Sequence, residues 1–372
     1  MSGKTTVQSA AIPLTLLTGF LGSGKTTLLN RLLPQPALGR CAVVINELGA
    51  IGLDHLFIST SRDDTIAMLE NGCLCCGVRD ELAATVADLL ERRTRGEIPP
   101  FERILIETTG LARPGPVISL LLGDPALDGR LQLDGIVTTV DAKHGAAQLA
   151  RHEESRQQVA VADRLLLTKA ELVDAPALAD LEAALEALNP GATRIPVRNG
   201  EIDAQQLLDI LTPRALRPWL RAEPSPRKSL MRGATASRVA HPDIDSFCLT
   251  YSQPLPMQAF ETALTVLLGY HGERILRVKG IGNFIGESRP VVFHGVQQLL
   301  HEPLRLEAWP DDDHTTRLVF IVQGLARSVI EETITHFLRE AGVEKLAQGD
   351  DDASSRFVQG DEASDAERCT NQ

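Results

Sequence analysis

Residues 14–18 read Leu-Thr-Leu-Leu-Thr, and short apolar runs of the same kind recur at 41–45, 103–107, 135–140 and 164–167. Each is too short for a helix and is bounded by turn-forming residues, the pattern of a buried strand. Between them stand segments with apolar positions three and four apart, at 25–33, 79–92, 117–122, 148–161 and 176–188. The last opens on Pro176, which suits a first helical turn because that position needs no amide hydrogen. Strand alternating with helix in this way predicts an α/β domain with a mostly parallel sheet and helices on both faces.

The pattern changes after residue 212. Pro213, Pro218, Pro224, Pro226 and Pro242 interrupt a stretch with scattered arginines and no clean period, which reads as a linker over 213–243. Beyond it short strands dominate, at 247–251, 274–279, 291–296, 304–309 and 318–322, with helices at 257–268 and 328–340. A smaller α+β C-terminal domain with a largely antiparallel sheet is expected over 244–342. The remainder, 343–372, is acidic and serine-rich and reads as a disordered tail, and 1–11 as a flexible N-terminus. The first domain then occupies 12–212.

Charge and composition narrow the partners. The chain has 372 residues, a net charge of −12 and an apolar fraction of 43%, which suits a globular protein with a full core. An acidic balance without basic clusters argues against a nucleic-acid backbone as partner. No window approaches the roughly 18 apolar residues of a membrane span, so no membrane partner is expected and the cytoplasm is the expected compartment. Three of the six cysteines, Cys73, Cys75 and Cys76, fall within four residues. Thiols crowded this way are metal ligands or redox groups sooner than a disulfide framework.

The run Gly-Phe-Leu-Gly-Ser-Gly-Lys-Thr at 19–26 has the spacing of a phosphate-binding loop, and it sits between a strand and a helix as that chemistry requires. Gly19, Gly22 and Gly24 allow the backbone to wrap a phosphate, with Ser23 and Thr27 in the same loop and first turn. The helix N-terminus adds positive potential. Lys25 is assigned to the β/γ oxygens and Thr26 to Mg²⁺. Ile-Leu-Ile-Glu-Thr-Thr-Gly at 104–110 ends a strand in Glu107, placed for Mg²⁺ or the attacking water. Gly110 follows, free to offer its amide to a γ-phosphate. A third strand runs into Thr168, Lys169 and Glu171. A lysine stem and a carboxylate two residues later suit guanine, whose two N–H donors a carboxylate can accept, so GTP is expected over ATP. Glu171 stands where such loops usually carry Asp.

Cys73, Cys75 and Cys76 lie between Gly72 and Gly77, in a loop. Soft thiolates of this density take Zn²⁺, Co²⁺ or Cu⁺. Three ligands leave a coordination position open, which suits transfer better than storage. The cluster falls between the phosphate loop and Glu107, as does 46–54, the interval that carries nucleotide-sensing segments in P-loop switches. Metal affinity coupled to the γ-phosphate is therefore expected.

With these motifs in view the chain resembles the CobW-like GTPases, relatives of the UreG and HypB metal chaperones. The matching stretches are TGFLGSGKTT (18–27), INELGAIGLD (45–54), ENGCLCC (70–76), ETTGLARPGP (107–116), TTVDA (138–142) and ADRLLLTKAEL (162–172), with LRVKGI (276–281), FHGVQ (293–297) and RLVFI (317–321) in the smaller domain. The resemblance implies zinc on Cys73, Cys75 and Cys76, slow GTP hydrolysis with Mg²⁺, and delivery to a client metalloprotein by a monomer or homodimer. Departures are Ala50 and Arg113 where acids are common, Glu171, and the absence of a His-rich stretch. His294, His301 and His314 are the histidines that could receive or dock metal in the second domain. Cobalt delivery, a metal sensor and a P-loop ATPase with an incidental thiol cluster remain the alternatives.

Overall fold

The structure, a computed structural model, describes residues 11–46, 55–59, 66–70, 80–208, 210 and 244–343. In chain order the first domain runs β1 (Ile12–Gly19), α1 (Lys25–Leu32), β2 (Cys41–Asn46), β3 (His55–Ser59), β4 (Ile66–Glu70), α2 (Asp80–Arg95), β5 (Arg103–Thr108) and α3 (Pro114–Leu122). It continues with β6 (Leu131–Asp141), α4 (Gly145–Arg151), α5 (Glu153–Val161), β7 (Arg164–Thr168), α6 (Ala175–Leu188) and β8 (Thr193–Pro196). These strands form one sheet in the order β4-β3-β2-β5-β1-β6-β7-β8. Neighbours from β2 through β8 along that order are parallel, and β3 and β4 add an antiparallel ribbon at one edge.

A parallel sheet needs cover on both faces, and the side-chain alternation of the strands supplies it. Leu14, Leu16, Ile104 and Ile106 point to one face, with Val86 and Leu89 of α2, Val159 of α5 and Leu185 of α6. Leu17, Leu105, Val137 and Leu166 point to the other, against Leu28, Leu29 and Leu32 of α1. Cys41 lies in this second layer, fully buried, and burial pushes its thiol up to about 12.

The second sheet is antiparallel: β9 (Ile244–Tyr251), β10 (Ile275–Gly282), β11 (Val291–Val296), β12 (Leu299–Leu300) and β14 (Thr316–Gln323) in the order β12-β11-β10-β14-β9, with β13 (Leu304–Arg305) on β11. One face, including Val278, Phe293, Leu318 and Phe320, packs on α7 (Met257–His271) and α8 (Arg327–Glu340), and Phe260 meets Phe293 edge-on at 5.2 Å. From the opposite face Leu276, Val296 and Ile321 enter the apolar cluster of the first domain. The two sheets are therefore tied through a shared core.

Several expectations are refined. The single helix expected over 148–161 is two, because His152 is extended (φ −121°, ψ 122°) and stacks on Phe20 with ring centroids 4.5 Å apart. Glu153 and Glu154 then open α5, where negative charge favours a helix start. The strand expected at 304–309 shortens to two residues; beyond them Leu306 is buried and Trp309 stacks on His314. Strands β3, β4 and β8 were not expected. Of the expected flexible N-terminus, linker and tail, only residues 11 and 343 are described.

Candidate nucleotide site

Strand β1 ends in the glycine-rich turn and α1 leaves it. Gly19 has φ +145°, and a Cβ there would fall 2.2 Å from Thr139 Oγ1, so no other residue fits without displacing β6. Gly24, the N-cap of α1, has φ 88°, and no side chain caps that helix. Its first-turn amides are thus directed at the loop interior, the arrangement that receives anions. The Lys25 ammonium curls back over the loop and donates to Gly19 O at 2.8 Å and Phe20 O at 3.4 Å. Ser23 anchors the turn, its hydroxyl paired with that of Thr139 at 2.6 Å and its N–H donating to Phe20 O. Gly22 and Thr27 are exposed.

Neighbouring β5 brings in the acid. Glu107 is buried at 2% exposure, and Thr26 Oγ1 donates to its Oε1 at 2.6 Å across 81 residues of sequence. The next residue, Thr108, donates to Thr18 Oγ1 at 2.9 Å, which ties β5 to β1 at the same level. Gly110 passes directly over the phosphate loop: a Cβ there would lie 2.7 Å from Leu21 N. An oxygen pair of this kind, a hydroxyl against a carboxylate, is a hard donor set suited to Mg²⁺.

The strand β7 supplies the third part. Thr168 Oγ1 donates to Ser23 O at 2.7 Å, and Lys169 Nζ donates to Gly22 O at 2.8 Å. Lys169 adopts the left-handed conformation (φ 57°) that carries its stem back to the loop. It also meets Asp141 Oδ2 at 2.6 Å. Burial would raise the Asp141 carboxyl, but the Lys169 hydrogen bond and the amides of His144 and Lys143 outweigh it and hold the group below its ordinary value. Glu171 is exposed, and its Oε2 accepts the Asn199 N–H at 2.9 Å. Asp141 carries no role in the motif reading. Its signal was an acid at a strand end beside the Lys169 strand.

Cys73, Cys75 and Cys76 lie outside the described residues, as does 47–54. The strand that leads into the thiol run is described, and it ends at Glu70. Glu70 pairs with His55, one residue beyond the Leu56–Val44 pair, while Ile45 of β2 pairs with Glu107. Glu70 and Glu107 therefore stand on the same row of the sheet, three strand spacings or about 14 Å apart. Both strands run the same way, so the chain enters the thiol run at the edge of the sheet that carries the phosphate loop. His294 and His301 stack with centroids 4.3 Å apart inside the second domain, and His314 stacks on Trp309. These three do not converge on one point.

A phosphate loop after β1, a strand-end acid hydrogen-bonded to its threonine and a lysine-bearing loop after β7 make this a P-loop GTPase. Family comparison agrees. Residues 13–196 match the CobW/HypB/UreG nucleotide-binding domain, and residues 244–338 match the cobalamin synthesis protein cobW C-terminal domain. The chain belongs to the CobW/HypB/UreG family. It is 33% identical over 310 residues to the zinc chaperone YjiA of Escherichia coli, covering 83% of this chain and 93% of that one. It is 31% identical over 358 residues to the zinc chaperone CobW of Pseudomonas aeruginosa, covering 86% and 90%. The crystal structure of Zn(II)-bound YjiA GTPase from E. coli superposes with a TM-score of 0.65 at 29% identity, over 88% of this chain and 99% of that one. No helix among the described residues is long and apolar enough to cross a membrane.

Proposed function

We propose that this protein is a GTP-dependent metal chaperone that holds zinc on Cys73, Cys75 and Cys76 and passes it to a client metalloprotein. The amides of the 19–24 loop and Lys25 bind the phosphates of GTP. Thr26 and Glu107 hold Mg²⁺, which neutralises charge on the β and γ oxygens when bound. Glu107 also orders the attacking water, and Gly110 offers its amide to the γ-phosphate. Lys169 and Glu171 select guanine, with Asp141 fixing the lysine. Zinc is the favoured cargo because the similar chaperones from E. coli and P. aeruginosa are named for it; cobalt is the alternative that the same donors accept.

The observation that carries the coupling is the shared row of Glu70 and Glu107. A rearrangement at Glu107 when the γ-phosphate leaves acts on the same sheet edge from which the thiol run starts. Zinc–thiolate binding is worth about 10–16 kcal/mol, whereas allosteric coupling supplies only about 1–3 kcal/mol. Hydrolysis alone cannot expel the ion, so client ligands must replace the thiolates one by one. The open fourth position is where that exchange begins.

Competitive zinc titration against a chromogenic chelator, with a GTP analogue and then GDP, tests the reading. Zinc affinity is expected to differ about 5–150-fold between the two nucleotides, and Cys75→Ser is expected to abolish tight binding in both. Equal affinity in the two states would leave a GTPase without a delivery function.

A further inference from the structure

Helix α5 touches the nucleotide-side segment and the second domain at once. Gln158 is buried at 1% exposure, and its Nε2 donates to Gly110 O at 3.1 Å and to Ala112 O at 3.0 Å. Its own main-chain oxygen is held by Thr138 Oγ1 at 2.9 Å, so the helix is fixed to β6 at this point. The Gln158 Oε1 is buried and has no hydrogen-bond partner. A buried acceptor left unpaired costs free energy, and it belongs to the same amide group whose Nε2 holds the Gly110 and Ala112 carbonyls.

One residue earlier the same helix reaches the other domain. Gln157 Nε2 donates to Gln323 Oε1 at the end of β14 and to Glu153 Oε1, both at 2.9 Å, and Gln323 Nε2 returns to Glu153 Oε1 at 3.1 Å. Arg113, just past Ala112, lies 3.4 Å from that same Glu153 oxygen. One carboxylate oxygen thus collects a donor from the segment after Gly110, one from the helix and one from the second domain. A second bridge runs on the far side of the segment, where Gln297, at φ 51° in the β11–β12 turn, packs so closely on Gly115 that a Cβ there would lie 2.1 Å from its Cδ.

We propose that Gln158 is a positioning residue for GTP hydrolysis and that α5 relays the position of the 110–112 segment to the C-terminal domain. The proposal rests on the reading of Gly110 as the γ-phosphate amide. When that amide is drawn to the phosphate, the Gly110 and Ala112 carbonyls shift against the Gln158 amide, and the unpaired Oε1 takes a donor from the moved segment. The side chain therefore has two hydrogen-bonded arrangements, one for each nucleotide state, and Glu153 and Gln157 transmit the difference to Gln323. Linkage makes the effect reciprocal: whatever binds the second domain changes GTP affinity by the same factor by which GTP changes its own binding. A client seated on that domain would then control the GTPase.

Hydrogen–deuterium exchange on the full chain, loaded with GDP or with a non-hydrolysable GTP analogue, tests this. In the unmodified protein, peptides covering 108–113, 290–301 and 316–325 are all expected to change protection between the two nucleotides. In Gln158→Ala the change at 108–113 persists and the change at 316–325 vanishes, while 290–301, reached through the Gly115–Gln297 contact, still responds. Its kcat falls about 10- to 100-fold through mispositioning, with KM for GTP within about twofold. Gln323→Ala, at the seam and remote from the phosphates, is expected to lose the 316–325 response while retaining GTP affinity. If 108–113 responds and the second domain does not, the relay fails while the reading of Gly110 stands. If 108–113 itself is indifferent to nucleotide, both fail. A Gln158→Ala protein with unchanged kcat and intact coupling also overturns the proposal.

Discussion

Asp163 sits between α5 and β7, buried, and is bonded to two cations of the second domain. Its Oδ1 takes Arg277 Nη2 at 2.5 Å and also Lys279 Nζ, and its Oδ2 accepts the Ile136 N–H at 2.9 Å. The side-chain exposures are 1% for Asp163, 3% for Arg277 and 8% for Lys279. Burial would raise the Asp163 carboxyl, but the two cations hold it far below the usual carboxylate range. Asp163→Asn keeps the shape and, with its oxygen on the Ile136 N–H, removes the charge and turns an amide NH2 toward Arg277 and Lys279 where an acceptor oxygen stood. Two cations are then left without their counter-ion, a change that typically costs about 3–5 kcal/mol.

The two cations do not share that cost equally. Burial lowers Lys279 to about 8 despite Asp163, so at pH 7 its proton leaves for about 1.4 kcal/mol, and for less once Asp163 is neutral. Arg277 cannot discharge in this way. In an Asp163→Asn background, Arg277→Met should therefore recover most of the lost stability and Lys279→Met little. Urea denaturation at pH 7, followed by far-UV circular dichroism, reads each variant. A loss below about 1 kcal/mol, or equal rescue by the two methionines, would refute the reasoning.

Replacing Glu107 by Gln is expected to lower single-turnover phosphate release about 100-fold or more, while GTP affinity, read with a fluorescent analogue, stays within about threefold. On the proposed reading of the base site, Glu171→Ala should narrow the preference for GTP over ATP about tenfold or more in competition titrations, since the guanine N–H donors lose a partner and adenine loses none. Stability should fall on mild acidification. Burial holds His294 well below its ordinary value and His301 at about 4, and His301, Arg277 and Lys279 press His294 further down while Asp163 opposes them. The unfolded chain thus binds more protons below about pH 6.5, and each histidine removes about 1.4 kcal/mol per pH unit toward its folded value. His301→Gln should flatten the urea midpoint between pH 7 and pH 5.

The parallel core was legible because its strands are uninterrupted apolar runs with turn residues at each end. Lys25, Thr26, Glu107, Thr168 and Lys169 could be named as candidates for another reason: each belongs to a short local motif whose residue types follow from phosphate, magnesium or base chemistry. Elements set by distant partners were not legible. His152 breaks a continuous helical period only because its ring meets Phe20, and β3, β4 and β8 are five residues or fewer without a decisive alternation. Gln158 and Asp163 look like ordinary polar positions in sequence. Their side-chain partners lie 27 to 116 residues away, and no local pattern encodes such contacts.

The sealed position of Cys41 has a practical consequence for counting thiols. With its proton held to about 12 by burial, only about one molecule in 10⁵ carries the thiolate at neutral pH, and alkylating reagents react with that form. Mass shifts after brief alkylation therefore pass over the core cysteine. Adding zinc beforehand and reading which adducts disappear then tests Cys73, Cys75 and Cys76 as the proposed zinc ligands without background from Cys41.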